Sequence, residues 1–87
     1  MSLHTGLHNL LEEMLASYYE TNTDQLRLQH ETYSDLLKKL DQNSNEYYTY
    51  LALGNKIANA DRLRNDPLNY ATVEKWIGSA ISFLRTE

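Results

Sequence analysis

Apolar residues along this chain recur at intervals of three and four rather than two, which predicts helices and no sheet. Leu3, Leu7, Leu10, Leu11, Met14, Leu15 and Tyr18 align as one stripe of a helix over about residues 3–20, with Asn9, Glu12, Glu13 and Glu20 away from its centre. Thr21, Asn22 and Thr23 then offer side-chain oxygens that can cap a second helix over about 23–41. Its stripe is Leu26, His30, Tyr33, Leu36, Leu37 and Leu40, and Asp35 and Lys39 stand four apart on a solvated side. The segment DQNSN at 41–45 breaks the pattern, because Asp, Asn and Ser side chains compete with helical hydrogen bonds.

A third helix is predicted over about 46–63, where NEYYTYLALG places three tyrosines in four positions. Helical spacing separates them: Tyr50, Leu53, Gly54, Ile57 and Ala60 share one face, with Tyr47, Leu51 and Ala58 beside it, while Tyr48 falls among Ala52, Asn55 and Asn59 on the other. A glycine inside a helix costs about 1 kcal/mol, so Gly54 in the apolar stripe implies that another helix comes close there. RNDP at 64–67 stops that helix and starts a fourth, since Asp66 can cap and Pro67 suits the first helical position. From about 67 or 70 to 85, Val73, Trp76, Ile77, Ala80, Ile81 and Leu84 oppose Lys75, Gly78, Ser79, Ser82 and Arg85, and Phe83 widens the stripe. The expected fold is all-α: one domain spanning 1–87, as a compact bundle of four amphipathic helices or two stacked helical hairpins.

Composition bears on what such a bundle can do. At 87 residues the core is small, and oligomerisation is one ordinary source of added stability, so a homo-oligomer is expected. The chain lacks cysteine, which removes disulfides, thiolate metal sites and a Cys nucleophile and fits a reducing, cytoplasmic setting. No apolar run approaches the roughly 20 residues that span a bilayer, and no basic-then-apolar leader opens the sequence, so no membrane partner is expected. The net charge of −4 conceals no basic stripe of the kind that neutralises phosphates; Lys56, Arg62 and Arg64 cluster near the end of the third helix, where cations suit its dipole.

Candidate chemistry is sparse. There is no glycine-rich phosphate loop, Gly-flanked serine or metalloprotease helix motif, and the chain reads as no enzyme. His4, His8 and Glu12 recur every four residues, a spacing by which imidazoles and a carboxylate can share a metal. They occupy a terminal turn without matching ligands elsewhere, so a solvated face is expected, with no metal and no cofactor. His30 interrupts an apolar stripe and reads as a core-edge histidine bonded to a tyrosine or carboxylate, or as an interface group whose protonation loosens an assembly.

Aromatic residues carry the remaining expectation. Tyr48, on a polar face, and Tyr19, on the flank of the first helix, are candidate contact residues for a partner protein. Tyr47 and Tyr50 belong in the core or at its margin, and with Trp76 and His30 they complete a candidate interface if the wide stripes self-associate. Tyr50, Leu53, Gly54 and Ile57, followed by Val73, Ile77 and Ala80, loosely resemble the helix pair of a tetratricopeptide repeat, with Tyr for Trp, Ile for Tyr, Val for Ala and Ile for Phe. That resemblance implies hairpin stacking and peptide binding, but one degenerate match identifies no family. The leading expectation is a small non-enzymatic protein-interaction module. Its alternatives are a helix-turn-helix DNA-binding regulator using Lys56, Arg62 and Arg64, and a small inhibitor or immunity protein that masks a partner.

Overall fold

Four caps punctuate the chain where the sequence offers them, and they define the helices of the computed structural model, which describes residues 2–86. Helix α1 spans Leu3–Tyr19, α2 Thr23–Leu37, α3 Asn45–Leu63 and α4 Tyr70–Thr86; the three-residue 3-10 turn Pro67–Asn69 leads into α4. Ser2, Asn22 and Ser44 each accept a backbone N–H from the first turn of α1, α2 and α3, respectively, and Asp66 does so for the turn after Pro67.

Helix α2 is shorter than its apolar stripe predicts. After Lys38 N–H bonds the Ser34 carbonyl, the pattern tightens: Lys39 donates to Leu36 and Leu40 to Leu37, each three residues back. Asp41 then folds the connection, its side chain accepting from Asn43 N–H and its carbonyl from the Ser44 hydroxyl. Lys39 therefore lies beyond the helix, and Asp35 pairs with Lys38, at 3.9 Å on an exposed surface, instead of with Lys39.

The hydrogen bonds and packing fix the directions. The starts of α1 and α3 meet through His4 and Glu46, and their ends meet through Tyr18 and Arg64, so α1 and α3 run parallel. Antiparallel to both is α2: Gly6 of α1 faces Leu36, and Thr23 bonds Asp61 near the end of α3. His8 stacks on Phe83, which sets α4 antiparallel to α1 and completes an all-α, up-down-up-down bundle. Its core draws on all four helices: Leu7, Leu11, Met14 and Leu15; Leu26, Tyr33 and Leu37; Tyr50, Leu53, Ile57 and Ala60; Val73, Ile77 and Ala80.

Gly54 meets the expectation of a close approach, and the neighbour is α2. A Cβ built at Gly54 would stand 2.5 Å from Cε2 of Tyr33. The Tyr33 ring is almost fully buried, and its hydroxyl donates to the Tyr50 carbonyl at 2.5 Å, one turn before Gly54. Burial, then the neighbouring Tyr50, pushes the Tyr33 phenol far above its ordinary value.

Candidate functional site

Helix α1 ends in a turn that its sequence does not favour. Thr21 N–H bonds the Tyr18 carbonyl and Asn22 N–H bonds that of Ser17, the paired closure in which the residue after the cap takes a left-handed conformation. Thr21 has φ 55°, a region that a β-branched residue enters at a cost and that glycine normally fills. Its hydroxyl bonds the Glu20 carbonyl at 2.6 Å.

A clasp from α3 holds this turn. Arg64 Nη2 donates to the Tyr18 carbonyl at 2.6 Å and to Asp61 Oδ1 at 2.5 Å, and its guanidinium lies 4.0 Å from the centre of the Tyr18 ring. The other Asp61 oxygen accepts from the Thr23 hydroxyl at 3.0 Å. Asp61 is buried and Arg64 mostly so, which makes this a charge-assisted junction of three helix ends. Burial raises the Tyr18 phenol above its ordinary value, and the Arg64 cation opposes that shift.

Above the clasp, α1 and α4 diverge into a groove of about 370 Å³. Tyr18, Tyr19 and Arg64 form one side, and one stripe of α4 forms the other: Tyr70, Val73, Glu74, Ile77, Gly78 and Ile81. The rings of Tyr18 and Tyr19 meet edge to face, with centroids 5.4 Å apart. The Tyr70 hydroxyl donates to Glu74 Oε1 at 2.7 Å, which raises its own proton affinity. Tyr19 and Tyr70 are both 63% exposed, so two large rings stand at the lip of an apolar cleft.

The six residues singled out from sequence do not share one site. Tyr19 lines the groove. Tyr48 is exposed on α3, with the half-buried Tyr47 ring edge-on beside it, away from the groove. Of the two placements expected for Tyr50 it takes the core: at 3% exposure it is flanked by His4, His8 and Phe83, so as a candidate interface residue it offers no surface to a partner. Trp76 is half-buried against the core of α4. His30 is half-buried on α2, but among the described residues it has no hydrogen-bond partner, so the expected tyrosine or carboxylate bond is not formed.

His4 and Glu12 are exposed, as the solvated face expected of them requires, and His8 is half-buried. His4 pairs with Glu46 across to α3, His8 stacks flat on Phe83 with its centroid 5.1 Å away, and the two line one shallow surface depression with Glu12. Among the described residues no group of three His, Asp or Glu side chains is placed to hold a metal. The basic cluster also divides: Arg64 is engaged in the clasp, while Arg62 turns outward to Asn59. Tyr70, Leu68 and Leu28 are exposed apolar residues that sequence reasoning passed over; Leu68, at 94%, is the most exposed of them. The signal for Tyr70 was its helical spacing, three and four residues ahead of Val73 and Glu74.

No family model, curated protein or solved structure matches the chain. The loose tetratricopeptide likeness accordingly carries no assignment, and the close approach at Gly54 is to α2 rather than to α4, its partner in that likeness. No helix among the described residues is long and apolar enough to cross a membrane.

Proposed function

We propose that this protein is a small non-enzymatic interaction module, cytoplasmic in setting, whose groove between α1 and α4 docks a partner protein. The observation that carries the proposal is the pair of exposed rings, Tyr19 and Tyr70, facing a cleft floored by Val73, Ile77 and Ile81. Tyrosine gives large contact area for little lost side-chain freedom, and an apolar cleft rimmed by polar groups is the ordinary form of a protein-binding surface. The strained Thr21 turn and the clasp beneath it support the same reading, because they hold the Tyr18–Tyr19 lip in one place before any partner arrives. Self-association, the homodimer expected from size, is the version in which a second copy fills the groove.

Selection of displayed random peptides on the purified protein tests this. Enriched peptides should lose binding to Tyr19→Ala and Tyr70→Ala while keeping it for Tyr48→Ala. Binders that ignore both groove substitutions, or binders that need Tyr48, would move the docking surface elsewhere. Light scattering of wild type and Tyr70→Ala across a concentration series separates the self-associating version: a dimer lost in the variant assigns the groove to a second copy.

A further inference from the structure

We propose that the groove recognises a cationic side chain, a lysine, methylated lysine or arginine of the partner, lodged between Tyr19 and Tyr70 with Glu74 as its counter-ion; this rests on the groove being the docking site. Two formally charged groups other than the buried Asp61 bear on the groove, Arg64 and Glu74. Arg64 is already neutralised by Asp61 beneath it. Glu74 has no cation partner among the described residues; one oxygen accepts from Tyr70, and the other makes no hydrogen bond. The groove therefore presents one uncompensated negative charge beside two exposed aromatic rings.

That combination favours a cation over a neutral apolar group of equal size. A ring face attracts a cation through its quadrupole, each ring contributing about twofold to fivefold in affinity at an exposed site. The groove already holds one cation in this way, the Arg64 guanidinium over Tyr18. The hydrogen bond from Tyr70 to Glu74 fixes ring and carboxylate together, so the two attractions act on one ligand atom group without further ordering. Gly78 on the floor leaves room beside them, since a Cβ built there meets nothing within 4 Å.

The test uses the isotope-labelled full chain titrated with choline and with its neutral tert-butyl isostere, following the Gly78 amide and the Tyr19 and Tyr70 ring signals by NMR. Choline should bind in the groove about fivefold to tenfold more tightly than the isostere, and the preference should shrink as salt is raised. Glu74→Gln, which can still accept from Tyr70, should remove most of that preference; Tyr70→Leu should remove it too, and Tyr70→Phe, which keeps the ring but loses the tie to Glu74, should retain part of it. Equal affinity for the two probes, silence of the groove toward both, or full preference in Glu74→Gln overturns the cation site. The peptide selection described above decides the docking reading independently of that outcome.

Discussion

The ring of Tyr33 crosses Gly54 so closely that a methyl group at position 54 would sit 2.5 Å from Cε2. The ring cannot swing aside, because it is buried and its hydroxyl is tied to the Tyr50 carbonyl. Gly54→Ala should therefore destabilise the protein by about 1–2 kcal/mol, overpacking outweighing the roughly 1 kcal/mol gained in helix propensity. Gly78→Ala, the same change in open space on α4, should stabilise by about 0.5–1 kcal/mol. Urea midpoints of the two variants should move in opposite directions.

Tyr33 also sets a limit at high pH. Its phenol is held neutral by burial, so its proton is bound more tightly in the folded chain than in the unfolded one. The corresponding stability is complete below the ordinary tyrosine value near 10 and declines as pH rises above it, by about 1.4 kcal/mol per pH unit for this one group. Tyr33→Phe should cost about 1 kcal/mol at pH 7 through the lost hydrogen bond and should lose less stability than wild type between about pH 10 and 11. Parallel denaturation curves over that range for both proteins would contradict this account.

Removing Arg64 leaves Asp61 buried without its cation. Arg64→Ala should cost about 2–4 kcal/mol, since the Tyr18 carbonyl loses a donor and the carboxylate loses its neutralising partner together. Arg64→Lys should recover only part of that loss: an ammonium can donate to both acceptors as Nη2 does, but Lys lacks the planar guanidinium that lies over the Tyr18 ring. Thermal melts of the two variants, with Arg62→Ala as the exposed control, measure the difference.

Thr21 holds a backbone shape that glycine adopts freely. Thr21→Gly should stabilise the protein by about 1 kcal/mol, the relief of the left-handed strain exceeding the loss of a local hydroxyl bond to Glu20. If the strain serves to hold the Tyr19 lip, the same variant should bind selected peptides less tightly although it melts higher. Melting temperature and peptide affinity on one preparation would report both effects.

The helices were legible because their apolar stripes repeat at 3.6 residues and because Ser, Asn and Asp stand where amides need caps. Gly54 announced a close contact for the same kind of reason, a cost inside a helix that only packing can justify. What escaped was set by distance along the chain. The clasp joins Tyr18 to Arg64, and the groove joins Tyr19 to Tyr70, and neither pairing leaves a periodic mark in the sequence. Its own helix left Tyr50 between core and margin; the rings of His8 and Phe83, from two other helices, cover it and make it core. The early end of α2 was hidden because Leu40 continues the stripe while its backbone bonds three residues back.

Parallel helices that touch through smooth apolar stripes can slip past one another by a turn, about 5.4 Å, with little change in the surface they bury. Here α1 and α3 are pinned at both extremities, by His4 to Glu46 at their starts and by Tyr18 to Arg64 at their ends. A slide in either direction would break a polar tether at each end of the bundle. The two tethers therefore act as a gauge that fixes the axial register of α1 against α3, and with it the height of the Tyr18–Tyr19 lip above Arg64.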